Sequence, residues 1–140
     1  MHRGAIAEID LDAVSDNLKA VKHITGNTPV IAVVKADAYG HGAVEVSGRL
    51  AADGVYGLAV AFLDEAIKLR EAGLRSRILV LFDKDNISDY FSYDLLPVLH
   101  DIETAGRFSA AASSEGRSID VHLKTDTGMG RLGLNSRTVL

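Results

Sequence analysis

The sequence of 140 residues contains no cysteine, no tryptophan and only two prolines. Without thiols there is no disulfide framework, no thiolate metal site and no cysteine nucleophile. An excess of positive charge is also missing, since 15 Lys and Arg face 19 Asp and Glu for a net charge of −4 with His neutral. An acidic chain without basic runs is a poor ligand for a phosphate backbone, so no nucleic-acid partner is expected. The longest apolar stretches are broken by glycine or charge well before membrane-spanning length, so no membrane partner is expected. Residues 1–10 hold no apolar segment of the signal-peptide kind. What is present is 47% apolar and 24% charged residues, enough to bury a core in one domain or most of one. The composition leads us to expect a soluble, cytoplasmic chain.

Hydrophobic periodicity predicts a strand over residues 5–11, then a helix from Leu11, Val14, Leu18 and Val21, with Asp10 or Asp12 as its N-cap. The β-branched run at residues 30–34 predicts a buried strand closed by Lys35. Helical stripes follow at Ala43, Val46, Ser47 and Leu50, at Phe62, Ala66 and Leu69, and at Ile102, Ala105 and Ala112. A short, poorly patterned helix is expected over residues 86–93, and strands over residues 56–60, 78–82, 95–99 and 119–125. Buried strands alternating with helices at roughly 20 to 25 residues per unit imply βαβ connections and a parallel sheet. About five such units are present, whereas a closed (β/α)₈ barrel takes about 250 residues. The pattern alone leaves open whether the sheet is doubly wound or part of a barrel.

Lys35 closes the most hydrophobic strand and shares a face with Ile31 and Val33 by the two-residue period. A strand-end lysine is most often solvated. Here it opens the segment Lys35-Ala36-Asp37-Ala38-Tyr39-Gly40-His41-Gly42. Carboxyl ends of parallel strands are where reactive sites are built, and a partly desolvated lysine can act as a Schiff-base nucleophile or proton-transfer base. Tyr39 adds a hydroxyl and an aromatic face, while Gly40 and Gly42 let backbone approach a ligand.

The second candidate is Asp126-Thr127-Gly128-Met129-Gly130-Arg131-Leu132-Gly133. Residues 128–133 match G-x-G-x-x-G, but Asp120, His122, Lys124 and Asp126 make one face of the preceding strand entirely polar. A dinucleotide-binding strand is apolar on both faces and is followed about 20 residues later by an acidic residue, beyond Leu140 here. A polar strand face ending in Arg131 suits the inside of a barrel near a ligand, or an internal ion-pair network of Lys124 and Arg131 with Asp120 or Asp126. His2, His23, His41, His100 and His122 contain no pair at zinc-helix spacing, so no metal site is indicated. His41 could contact an anion or a ring, whereas His100 and His122 read as satisfied polar residues at strand ends. Ser113 and Ser114 lack the Gly-x-Ser-x-Gly elbow of serine hydrolases.

At these segments the chain resembles the alanine racemase family, pyridoxal-phosphate enzymes of fold type III. The resemblance is carried by residues 7–13 (Ala-Glu-Ile-Asp-Leu-Asp-Ala), 32–42 and 122–133, with weaker likeness at 56–61 and 69–73. It implies that residues 1–140 are the N-terminal portion of a pyridoxal-phosphate-binding (β/α)₈ barrel, the rest of the barrel and a C-terminal β domain lying outside this chain. It also implies a cytoplasmic homodimer that interconverts L- and D-alanine to supply D-alanine to the cell wall. By the resemblance Lys35 is the catalytic lysine, linked to pyridoxal 5'-phosphate and handling the α-proton of one enantiomer. Tyr39 contacts the cofactor phosphate, and Arg131 lies beside the cofactor's phenolic oxygen and the substrate carboxylate. Lys124 matches a lysine that is carbamylated in some members and holds that arginine. The opposite-face base is a tyrosine from the partner subunit, outside this chain. The isolated chain is therefore expected to be inactive. It is also expected to leave an inner sheet face uncovered around Val33 and Leu58 or their neighbours. Other readings are a serine or broad-specificity amino-acid racemase, or a non-catalytic cofactor-binding fragment.

Overall fold

The computed structural model describes residues 4–134. The strand expected over residues 5–11 is not formed: residues 5–10 run as irregular chain, with Ile6 81% exposed. Alternation favours a strand only where a neighbour accepts its backbone bonds, and none of the described strands pairs with it. The first helix, α1 (Leu11–Ile24), begins where Asp10 Oδ1 accepts the amides of Asp12 and Ala13 at 2.8 and 3.1 Å. That is the expected N-cap. Leu11, Val14 and Leu18 face the core, but Val21 is 43% exposed.

Beyond α1 the chain alternates as the periodicity predicts. The strands are β1 (Ile31–Val33), β2 (Gly57–Val60), β3 (Arg77–Val80), β4 (Leu96–Leu99) and β5 (His122–Leu123). Between them lie α2 (Lys35–Gly40), α3 (Ala43–Ala52), α4 (Leu63–Glu71), α5 (Ile87–Ser92) and α6 (Ile102–Glu115). All pairings are parallel, in the order β1-β2-β3-β4-β5. A doubly wound sheet reverses its strand order at a switch point, whereas a βα barrel adds each strand beside the last. The observed order is that of a barrel segment. The strand expected over residues 119–125 shrinks to His122–Leu123, which is exposed and among the described residues pairs with β4 alone, with Thr125 in an isolated bridge to Leu134.

The register separates the two faces. Val33, Ala59, Leu79 and Leu96 stand in one row across four strands. The alternate residues Leu58, Val60, Ile78 and Val80 are fully buried against the helices, together with Leu50, Leu69, Tyr90 and Phe108. Each such side chain contributes about 1.5–3 kcal/mol of burial. Leu58 therefore belongs to the helix-facing core and not to the uncovered inner face expected of it. Val33, 45% exposed, does lie on that inner face.

The amino ends of β3 and β4 are tied together by Arg70 of α4, which is only 9% exposed. Its guanidinium donates to the carbonyls of Tyr93 and Asp94 at 2.8 Å, Leu74 at 2.9 Å and Ser76 at 2.7 Å. Burial lowers the pKa of this guanidinium, and the four carbonyl dipoles replace the water it has lost.

Candidate active site

At the opposite end, the carboxyl side of the strands, each βα corner is held by a carboxylate. Asp37 accepts the Ala43 amide at 2.9 Å, and Glu65 accepts those of Ala36, Ala61 and Phe62. Asp83 accepts Leu63 N at 3.2 Å, Asp101 accepts Thr104 N at 2.6 Å, and Asp126 accepts Gly128 N and Gly130 N at 3.0 and 3.1 Å. The pKa values of Asp37, Asp101 and Asp126 lie below the usual aspartate range, chiefly because these amides bond the charged form. Loops that would otherwise be pliable are thereby fixed beneath the site.

Lys35 lies two residues beyond Val33, the last residue of β1, and the two-residue alternation puts it on the inner face with Val33. The chain then makes a left-handed turn. Ala36, Asp37, Ala38 and Tyr39 all have φ between 51° and 55°, the region that L-residues avoid at a cost of about 1–2 kcal/mol each. The turn is held by Ala38 N to Val34 O at 2.9 Å, Gly42 N to Asp37 O at 3.0 Å, and His41 Nδ1 to Ala38 O at 2.8 Å. Its consequence is that Tyr39 folds back beside Lys35, with Nζ 6.0 Å from the ring centroid.

A second ring, Phe82 just beyond β3, gathers the rest. Lys35 Nζ lies 5.7 Å from its centroid and the Arg131 guanidinium 5.9 Å, both within cation–π range. Phe62 stands 6.4 Å from Phe82 in a tilted pair. Arg131 reaches this position because its loop closes on itself. Asp126 N donates to Leu134 O at 2.9 Å and Leu134 N to Lys124 O at 2.8 Å. At Gly133, with φ of 139°, a Cβ would stand 2.5 Å from Asp126 N, so only glycine fits. The loop amides of Gly128 and Gly130 are taken by Asp126. The G-x-G-x-x-G match thus works as an internal closure that presents Arg131.

Of the four sequence-predicted residues, Lys35 and Arg131 meet over Phe82, and Tyr39 stands beside Lys35. Lys124 follows His122 by two residues, and His122 pairs with Val98 on the inner-face row, so alternation puts Lys124 on that face. Among the described residues no ion pair joins Lys124 or Arg131 to an acidic partner. His41 serves the turn through a hydrogen bond of its Nδ1 with Ala38 O at 2.8 Å. His100 lies 3.3 Å from Asp101, as a satisfied strand-end histidine should. Phe82 and Glu65 were not singled out by the sequence pattern. Their only signal is position: Phe82 ends the residue 78–82 run, and Glu65 lies three residues after Phe62, where a carboxylate can reach back over a helix start.

Successive parallel βα units, with a lysine, a tyrosine and an arginine gathered at their carboxyl ends, define a segment of an enzyme-type (β/α) barrel. The sequence profile of the alanine racemase N-terminal domain matches residues 9–140, and the chain belongs to that family. It is 49% identical over 138 residues to the alanine racemase of Thermodesulfovibrio yellowstonii, covering 96% of this chain and 38% of the relative. To that of Clostridium kluyveri it is 41% identical over 136 residues, covering 96% and 35%. The alanine racemase of Streptomyces coelicolor A3(2) superposes with a TM-score of 0.84 at 33% identity, over 91% of this chain and 35% of that one. The histidine racemase of Leuconostoc mesenteroides subsp. sake gives 0.86 at 31% identity, over 97% and 37%. The chain thus spans little more than a third of the relatives' length and carries the N-terminal portion of their barrel fold.

Proposed function

We propose that this chain forms the lysine-bearing half of the active site in a pyridoxal-phosphate-dependent amino-acid racemase acting on alanine. The observation that carries the reading is the convergence of Lys35 and Arg131 on Phe82 at the carboxyl face, with Tyr39 beside Lys35. The Lys35 amine has no carboxylate partner among the described residues and stands over two aromatic rings. An unpaired amine beside apolar ring faces, an exposed phenol and a guanidinium suits a planar aldehyde carrying a phosphate, so the residues fit pyridoxal 5'-phosphate. Lys35 would hold it covalently, the Tyr39 hydroxyl would donate to its phosphate, and Arg131 would face its phenolic oxygen. When bound, the group withdraws electrons from the substrate Cα and makes its proton removable.

The chain's own residues supply the remaining chemistry. Lys35 Nζ takes or returns the α-proton on one side of Cα. Arg131 orients the substrate through its carboxylate, an anion that a guanidinium binds in two-pronged fashion. Phe82 lays an apolar ring face against Lys35 and Arg131 on that side. Inverting the centre needs a second base on the opposite side, contributed by a tyrosine of a partner subunit in a cytoplasmic homodimer. In this reading the protein supplies D-alanine for the cell wall. Lys124, carbamylated, would turn a repulsive neighbour of Arg131 into an attractive one, and the chain alone does not turn over.

A racemase with another or broader amino-acid range is the second reading. It is favoured by one observation, the likeness to a histidine racemase with a TM-score of 0.86. A chimera separates the two: residues 1–134 replace the matching segment of the Thermodesulfovibrio yellowstonii relative, and racemisation of alanine, serine and histidine is followed by chiral chromatography. Alanine turnover that disappears on Lys35→Ala supports the first reading. A preference for serine or histidine supports the second, and a folded chimera inert toward all three contradicts both.

A further inference from the structure

We infer that Glu65 is a positioning residue for the Lys35 amine, acting through the left-handed turn; this rests on the reading of Lys35 as the reactive group. Glu65 sits in the first turn of α4, yet its carboxylate serves two corners at once. One oxygen accepts from Ala36 N, the peptide directly after Lys35. The other accepts from Ala61 N at 2.7 Å and Phe62 N at 3.1 Å, capping α4. Four successive non-glycine residues in the left-handed region persist only where their surroundings over-determine them. The other hydrogen bonds of residues 36–39 run within residues 34–43. Asp37 ties the turn to the start of α3 through the Ala43 amide, and among the described residues the bond from Ala36 to Glu65 is the one hydrogen bond that fastens it to α4. It is joined there by the Lys68–Asp37 ion pair at 3.6 Å. Release of Ala36 frees the backbone on which both Lys35 and Tyr39 are aimed. Glu65 therefore sets the direction of the amine without touching a ligand.

Glu65→Gln is nearly isosteric, but its amide offers one accepting oxygen and an NH2 group that cannot accept. If the oxygen stays with Ala61 and Phe62, α4 keeps its cap and Ala36 loses its partner. Three readouts are taken on the purified chain: amide hydrogen exchange, the urea midpoint, and the rate at which pyridoxal phosphate with borohydride labels Lys35. The expected result is Ala36 exchange and Lys35 labelling each changed about tenfold, faster and slower respectively, at a nearly unchanged midpoint. Glu65→Ala, which removes all three bonds, must slow labelling whichever way the glutamine amide settles. Asp101→Asn, at a corner with no bond to the turn, should lower the midpoint and leave the labelling rate as it was. Wild-type labelling in folded Glu65→Ala, or slowing that merely tracks the unfolded fraction, overturns the inference. A wild-type chain that takes no label at Lys35 overturns the reading of the site, and the inference with it.

Discussion

Replacing Arg70 tests whether the amino-terminal face is a stability anchor separate from the chemistry. Its guanidinium makes four hydrogen bonds of 2.7–2.9 Å to backbone carbonyls of the segments entering β3 and β4. Hydrogen bonds involving a charged group contribute about 1.5–3 kcal/mol each. The four do not add fully, because they share one group and an adjoining cleft lined by Glu71, Arg75 and Asp94 lets water reach the freed carbonyls. Arg70→Met keeps the apolar stem and removes every donor, so a loss of about 3–5 kcal/mol is expected. That is a large share of the roughly 5–15 kcal/mol holding a domain together. Arg70→Lys retains three donors without the planar fork and should lose about half as much. Urea unfolding followed by circular dichroism gives both values. Labelling of Lys35 in the remaining folded protein should be unchanged, since Arg70 lies at the other end of the strands. A loss below about 1 kcal/mol for Arg70→Met would refute the clamp. A lysine variant worse than the methionine one would refute the donor count.

Two further outcomes are expected. The lowered pKa values of Asp37, Asp101 and Asp126 contribute stability that is fully present above the unfolded aspartate value of about 4 and is lost as pH falls through the folded values. Acid unfolding should therefore set in below about pH 4, and Asp101→Asn should flatten that limb, which urea midpoints measured against pH will show. Phe82→Leu removes two cation–π contacts of about 0.5–1 kcal/mol each and should weaken pyridoxal phosphate binding about fivefold or more, measured by equilibrium absorbance titration.

Much of this was legible because strands and helices here obey their own periods. The residue 30–34 run gave β1, Asp10 gave the cap of α1, and the alternation from Asp120 to Asp126 put Lys124 on the inner face. The N-terminal alternation at residues 5–11 misled because pattern reports which faces differ, not whether a partner strand exists. The choice between a barrel and a doubly wound sheet rests on strand order, a long-range property that spacing does not encode. The left-handed turn was hidden for a different reason. Ala36, Ala38 and Tyr39 carry no local preference for positive φ, so only the tertiary bonds to Glu65 and within residues 34–43 reveal it. Phe82 was likewise invisible as a shared contact, since its meaning comes from Lys35 and Arg131 arriving from distant segments.

The most direct test is where the cofactor attaches. The purified chain is incubated with pyridoxal phosphate, reduced with borohydride, digested and mapped by mass spectrometry. The label should lie on Lys35 at near one equivalent, and Lys35→Ala should abolish it while leaving the circular dichroism spectrum unchanged. Label spread over lysines, or concentrated on the exposed Lys68 or Lys84, would contradict a site built around Lys35.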